Sequence, residues 1–370
     1  MDKERILCFA EHWSTGGIEA FITSCILNMP SDAGNVDVVA ARISDSPFTE
    51  RLKERGVRFF SLSGKLHSRK NLPLFKKLLK ENKYRAAHFN VFHCLALGYA
   101  RAARDAGIPV RIVHAHGSGL RRSPATPLKL LLHRMCRRLW LGCETARLAC
   151  SRSASEFFFG DGSATVIGNG IDTERFRFDP AVRERVREEL SLGNSPTVGH
   201  VGRMSSEKNQ EFLLRVFAEY VKANGSARLL LVGDGDDMAK NRALAEELSL
   251  GDSVIFYGNS DRVEELMCAM DVFVFPSLFE GFGIVAVEAQ ASGLGLLKSA
   301  GVPDGVSVSD RVITLSLDAE LTKWAEAIGS LLTTPADRLS GAEAVKKAGY
   351  DAASVARRVS DFYFEKECDR

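Results

Sequence analysis

Short apolar runs alternate along the chain with longer stretches in which apolar residues recur every three or four positions. Runs of the first kind predict buried strands and stretches of the second kind predict covering helices, so the chain reads as repeated strand–helix units around parallel sheets. In the first half the candidate strands are 6–10, 36–40, 57–62, 86–90, 110–114, 148–151 and 165–167. The pattern restarts with 197–201, 229–232, 254–257, 272–276, 295–298 and 312–315. Between the halves lies the glycine-rich stretch Gly168-Asn169-Gly170-Ile171-Asp172, followed by a helix with Asp179 as its cap and Pro180 at its first position. A last helix is expected over 352–368, where Ala356, Val359, Phe362 and Tyr363 fall at helical spacing and would pack back across the structure. The expected division is therefore 1–175 plus 352–370 as an N-terminal Rossmann-like domain and 176–351 as a C-terminal one. Doubly wound sheets bind ligands at the C-terminal ends of their strands, so two facing sheets would create an interdomain cleft.

Composition narrows the class without changing the picture. With 370 residues, 45% hydrophobic and 26% charged, the chain is of two-domain size and ordinary globular composition. A net charge of +2 argues against general nucleic-acid binding. Cys8, Cys25, Cys94, Cys136, Cys143, Cys150, Cys268 and Cys368 form no Cys-x-x-Cys pair and lie mostly in apolar runs, the pattern of buried free thiols. The first residues pass straight into a strand-like run, and no stretch reaches the roughly 18 apolar residues of a membrane span, so a cytoplasmic protein is expected.

Candidate chemistry concentrates where strands end. Glu280 and Glu288 flank a glycine turn that opens an apolar helical stretch, with the amides of Phe282, Gly283 and Ile284 between them. A helix N-terminus approached through glycine binds anions, and flanking carboxylates accept hydrogen bonds from hydroxyls. A sugar nucleotide has both features. Arg203 and Lys208 follow the first strand of the second half and could converge on a diphosphate, although solvated surface charges have the same appearance. Gly16-Gly17 follows the first strand of the chain and permits close approach of a phosphate, or serves a tight turn. His114 and His116 share one strand face; metal binding lacks a third ligand nearby, and His116 at the strand end suits hydrogen bonding to a substrate. Gly233-Asp234-Gly235-Asp236 lacks the full glycine fingerprint because position 238 is Met, which disfavours NAD. Residues 121–141 combine Arg121, Arg122, Lys129, Arg134, Arg137 and Arg138 with many leucines, either a core helix with a solvated basic face or a peripheral contact with an anionic membrane.

Taken in order, the Gly16-Gly17 loop, His116, Asn169-Gly170-Ile171-Asp172, Gly202-Arg203 with Glu207-Lys208-Asn209, and Glu280 to Glu288 with Ala289-Gln290-Ala291-Ser292-Gly293 span nearly the whole chain. Together they resemble the retaining glycosyltransferases of family 4, particularly those of bacterial exopolysaccharide and capsule assembly. The resemblance implies an α/β GT-B fold of two facing Rossmann-like doubly wound domains with a C-terminal helix crossing back. It also implies a hexosyltransferase that takes a nucleotide-sugar donor, with UDP expected, and a saccharide or lipid-linked saccharide acceptor, and needs no metal or other cofactor. By similarity, Arg203 and Lys208 would hold the diphosphate, Glu288 the ribose, and Glu280 the donor sugar. His116 would contact sugar or phosphate, and Gly16, Gly17, Gly281, Phe282, Gly283, Ile284 and Val285 would complete the donor site. Catalysis would rest on His116, Glu280, Arg203 and Lys208. The chain departs from the family at Gly293-Leu294-Gly295-Leu296, where Gly295 replaces a common proline, and at Lys298-Ser299-Ala300, which lacks an apolar-then-acidic strand end. A UDP-sugar epimerase of the same fold, a non-catalytic scaffold and an NAD-dependent oxidoreductase are the alternatives.

Overall fold

Thirteen parallel strands, all in two sheets, are present in the computed structural model, which describes residues 5–14, 16–30, 35–65, 68–119, 126–334 and 337–364. The first sheet contains β1 (Arg5–Trp13), β2 (Asn35–Ile43), β3 (Arg58–Ser61), β4 (Tyr84–Val91), β5 (Val110–Ala115), β6 (Ala146–Ala149) and β7 (Thr165–Val166). The second contains β8 (Thr197–Val201), β9 (Arg228–Val232), β10 (Val254–Gly258), β11 (Val272–Phe275), β12 (Gly295–Ser299) and β13 (Val312–Leu315). Each predicted strand is found. β1 and β2 run on past their expected ends, whereas β6 ends before Ser151 because that residue caps the helix Arg152–Phe159, its Oγ accepting from Ala154 N at 3.1 Å.

Contacts divide the chain into 1–170 with 352–370, and 171–351. The sequence suggested a break after 175; the division falls earlier, where Ile171 bridges Asp351 and its N–H donates to Tyr350 O at 2.8 Å. Asp179 caps the next helix as expected, accepting from Ala181 N at 2.8 Å with Pro180 at the first position. The terminal helix Ala352–Phe364 belongs to the first unit, and its Val355, Val359 and Tyr363 enter the core with Trp13, Phe21 and Ile112. Cys368 lies outside the described residues; the other seven cysteines are buried free thiols.

Strand order decides where a ligand can sit. The sheets run β3-β2-β1-β4-β5-β6-β7 and β10-β9-β8-β11-β12-β13, so the order reverses direction between β1 and β4 in one and between β8 and β11 in the other. At such a switch point the connecting segments leave toward opposite faces and a crevice opens at the strand C-termini. The residues following β1, β4, β8 and β11 are therefore placed by topology at ligand-accessible edges.

One buried charge pins the opposite edge of the first sheet. Asp37, with its side chain fully buried, accepts from Arg58 Nη2 at 2.6 Å, Tyr84 OH at 2.8 Å and Arg5 Nε at 3.0 Å, and Arg5 Nη2 also contacts it. Burial alone would raise its pKa, but the bonds from Arg58, Arg5 and Tyr84 outweigh burial and hold it below the usual carboxylate range. Replacing Asp37 by Asn is expected to cost about 3–5 kcal/mol in urea denaturation at pH 7. Because the folded-state pKa is depressed, the difference from wild type should hold above about pH 4 and shrink as pH falls through the depressed value.

Candidate active site

The second unit's switch point is built on a buried polar layer. His200 in β8 meets Val274 O through Nδ1 at 2.9 Å and Gln210 Nε2 through Nε2 at 3.2 Å, and Gln210 Nε2 also donates to Arg203 O at 2.9 Å. Burial pushes the His200 pKa down to about 4, with Lys208 adding to the effect and the Val274 bond opposing it, so the imidazole is neutral. Behind Arg203 packs the glycine turn after β9. A Cβ on Gly233 would lie 2.1 Å from Gly202 O, and one on Gly235 2.4 Å from Met204 O. Those glycines are there for backbone contact between two loops.

The loops after β8 and β11 are tied together. Leu278 N donates to Glu207 O at 2.8 Å, and Asn209 Nδ2 donates to Pro276 O at 3.2 Å from a left-handed backbone (φ 58°). This brings Lys208 Nζ to 2.5 Å from Glu280 Oε1 and to 5.0 Å from the centre of the Phe275 ring. Arg203, with 64% of its side chain exposed, pairs instead with Asp236 at 3.2 Å. Lys208 and Glu280 are thus joined, while the guanidinium is turned to the β9 loop. The helix Ile284–Ala291 begins from Gly283, whose φ of 90° suits glycine, and a Cβ there would come within 3.0 Å of Phe275. The amides of Ile284 and Val285, in its first turn, have no acceptor within the helix, and those of Phe282 and Gly283 lead into it, an arrangement of the kind that suits an anion.

Glu288 lies just over one turn into this helix and is partly buried. Loss of hydration raises its pKa to about 7, with the Arg175 guanidinium opposing and Glu264 adding to the rise. Arg175, in the segment after β7, donates to Glu264 Oε2 at 2.8 Å. Neither Arg175 nor the Gln210–His200 layer was visible in sequence, because no spacing rule links a linker arginine or a strand histidine to a glutamate so distant along the chain. The segment that departs from the family is firmly bonded: Lys298, fully buried, donates to Asp304 Oδ1 at 2.8 Å and to Val302 O at 3.0 Å, and Ser299 Oγ donates to Ser277 O at 2.5 Å. Gly301 O in turn accepts from Glu280 N at 3.0 Å. At Gly295 a Cβ would lie 3.1 Å from Leu331 Cδ2.

In the first unit, Gly16 precedes the helix Gly17–Asn28 with φ −85°, outside the left-handed region, so it is no positive-φ turn. A Cβ there would lie 2.7 Å from Glu19 Oε2, the movable end of a side chain whose Oε1 accepts from Ser14 N at 3.1 Å. A carboxylate at this helix start opposes a phosphate at Gly16-Gly17. His116 is buried beyond the end of β5. Its Nε2 meets Asn90 Oδ1 at 2.9 Å, and its ring stacks on His114 at 4.2 Å and lies 5.0 Å from Phe21. Burial lowers its pKa to about 3, with His88 adding, which leaves a neutral hydrogen-bonding imidazole. His114 continues inward, its Nδ1 3.2 Å from His88 Nε2, and His88 Nδ1 lies 2.7 Å from Tyr363 OH. Among the described residues no group of three or more His, Cys, Asp or Glu side chains could hold a metal ion.

Arg121 and Arg122 lie outside the described residues; the rest of the basic segment contains the helix Thr126–Trp140. His133 and Cys136 face inward, whereas Leu128, Leu131, Leu132, Met135 and Leu139 are exposed, the last at 66%. Their spacing places them along one outward stripe. A core helix would bury that stripe. No helix among the described residues is long and apolar enough to cross a membrane.

Two parallel doubly wound sheets, each with charged or polar loops at its switch point, make up the architecture of the GT-B class. Residues 15–175 match the family description Glycosyltransferase Family 4, and residues 182–348 match Glycosyl transferases group 1. The chain is 30% identical over 366 residues to EpsF of Bacillus subtilis (strain 168), named as a glycosyltransferase, covering 95% of this chain and 94% of that one. It is 28% identical to a GDP-mannose-dependent phosphatidylinositol monomannoside mannosyltransferase of Mycobacterium tuberculosis (strain CDC 1551 / Oshkosh), over 70% of this chain and 69% of the relative. Its fold matches Anabaena HepE, solved with UDP and with UDP-glucose, with a TM-score of 0.77 in both cases, at 21% and 20% identity, over 97% and 96% of this chain and 98% of HepE. The chain belongs to the family 4 glycosyltransferases.

The raised pKa of Glu288 has a testable sign. Between the ordinary carboxylate value and about 7 the folded protein holds a proton that the unfolded chain has lost, so this group's contribution to stability falls as pH rises through that window. Glu288→Gln should therefore flatten the decline in ligand-free stability between about pH 4.5 and 7, measured by urea denaturation across pH. Equal slopes in variant and wild type would overturn the assignment.

Proposed function

We propose that the enzyme is a retaining, metal-independent hexosyltransferase that moves a sugar from a UDP-sugar to a saccharide or lipid-linked saccharide acceptor in cell-surface polysaccharide synthesis. The observation that carries this reading is the Lys208–Glu280 pair at the mouth of β8 and β11, beside the free amide end of the helix Ile284–Ala291. A diphosphate entering there would draw Lys208 from Glu280 and meet the helix amides, while Arg203, exposed and paired with Asp236, has the reach to swing in. Lys208, Arg203 and the amides stabilise the charge that develops on the departing nucleoside diphosphate. Glu280, released from Lys208, accepts from donor-sugar hydroxyls. Glu288 accepts from ribose, a role its shielded carboxylate gains from hydroxyl donors that favour the ionised form. His116 contributes a neutral imidazole to sugar recognition. With the leaving group so supported, attack on the same face of the sugar needs no carboxylate nucleophile and no metal. HepE's complexes favour a UDP donor, and the mannosyltransferase relative's name favours a lipid-linked acceptor.

Thermal shifts test the donor site, because stabilisation follows ligand affinity by mass action. UDP is expected to raise the melting temperature and GDP to do so much less. Lys208→Ala should weaken UDP about tenfold or more, the loss of a charge-assisted hydrogen bond of about 1.5–3 kcal/mol. Glu280→Gln should keep UDP binding and lose sugar transfer. A UDP shift in Lys208→Ala equal to wild type would remove Lys208 from the site.

The exposed apolar stripe of the helix Thr126–Trp140, flanked by Lys129, Arg134 and Arg138, supports peripheral docking on an anionic membrane surface. Arg137 is less suited to that role, since its guanidinium packs against Gly160. In flotation with vesicles containing anionic lipid, the double change Arg134→Glu and Arg138→Glu should release the protein, as should Leu131→Ser with Leu139→Ser. Flotation unchanged by both pairs would refute the contact.

A further inference from the structure

The first unit's switch point holds a cavity that the donor reading does not use. It has a volume of about 230 Å³ and is lined by Phe9 and Glu11 of β1, by His93 and Tyr99, which follow β4, and by Ser68. This lies below the roughly 300–1,000 Å³ of sites for drug-sized ligands, which suits one sugar ring rather than a nucleotide sugar. Its position follows from topology, because β1 and β4 are the neighbouring strands between which the order reverses. Phe9 and Tyr99, with ring centres 4.5 Å apart, supply apolar wall of the kind that covers the C–H face of a sugar.

The polar lining has a definite hydrogen-bonding sense. Glu11 Oε2 lies 3.3 Å from His93 Nε2. Burial lowers the His93 pKa and Lys129 lowers it further, while the residue's own backbone dipole opposes, so the ring is neutral near pH 7. A neutral ring that donates from Nε2 to Glu11 presents Nδ1 as an acceptor. That atom is buried and has no hydrogen-bond partner among the described residues. The cavity therefore presents a carboxylate and a ring nitrogen that both accept, and no lysine or arginine among the described residues lines it; Lys129 acts on His93 without lining the space. Hydroxyl groups satisfy acceptors. A phosphate, itself an acceptor and an anion, does not.

We propose that the Glu11–His93 pair forms a hydroxyl-recognition subsite that selects an uncharged sugar ring in the acceptor and rejects a phosphorylated one. The proposal rests on the glycosyltransferase reading for the word acceptor, but the binding it asserts is independent of the donor site.

The test uses the full chain saturated with UDP and ligand-observed NMR titration with methyl α-D-glucopyranoside, N-acetylglucosamine, glucosamine and glucose 6-phosphate. At least one of the two neutral sugars should bind, and glucose 6-phosphate should bind at least tenfold more weakly than it. Glu11→Gln should weaken the neutral sugar at least fivefold, and Glu11→Lys should invert the preference toward glucose 6-phosphate, a gain that misfolding cannot produce. Tighter binding of glucose 6-phosphate by wild type, with Lys129 recruited, would overturn the proposal. So would glucosamine binding alone, which would make this an ammonium site, or neutral-sugar binding indifferent to both Glu11 changes. A UDP melting shift without binding of any sugar defeats the subsite and leaves the donor reading standing; sugar binding with the predicted Glu11 dependence but no UDP shift does the reverse.

Discussion

Strand order is the constraint on which both sites depend. In each sheet the chain first winds one way and then returns to the centre to wind the other, so two strands distant in sequence become neighbours: β1 with β4, and β8 with β11. The loops leaving those strands cannot cover one another, and whatever residues they carry are presented side by side at an open edge. Lys208 and Glu280 meet across such an edge, and so do Glu11 and His93. The two edges differ in charge chemistry. The second unit offers a lysine, a nearby arginine and a helix end, all suited to an anion; the first offers Glu19 against its glycines, Glu11 in its cavity and neutral imidazoles, all suited to hydroxyls.

A large part of the fold was legible because parallel strands buried on both faces are written as short continuous apolar runs, and each of the thirteen was found where such a run stood. Boundaries moved where a polar side chain had a job that hydrophobicity does not register, as at Ser151. Of the site, the positions that follow a strand were readable, since a glycine, a charge and a helix start in sequence form a local signal. What was not readable is orientation. Nothing in the spacing of Arg203 and Lys208 shows that one faces Glu280 and the other Asp236. Nor does the sequence around Gly16 show that the Glu19 carboxylate, three residues later, lies against it.

The buried polar layers were the least visible features. Gln210 with His200, and His116 with His114, His88 and Tyr363, join residues from different strands and helices, so their logic exists only after the sheet has formed. Each of these histidines is neutral through burial, which lets stacked or bonded rings share a low-dielectric interior without mutual repulsion. Such layers fix the backbone beneath the functional loops, and they make Arg203 and His116 products of the core as much as of the surface.

Tyr363 carries one more implication. The helix Ala352–Phe364 supplies Val355, Val359 and Tyr363 to a core whose other members come from residues before 170, yet the ribosome makes the whole of 171–351 in between. The first-made sheet must therefore wait, with that face uncovered and the His88 imidazole still lacking its phenol, until the second unit has been synthesised. Order of synthesis and order of completion run opposite ways in this chain: the half that begins first is the half that closes last.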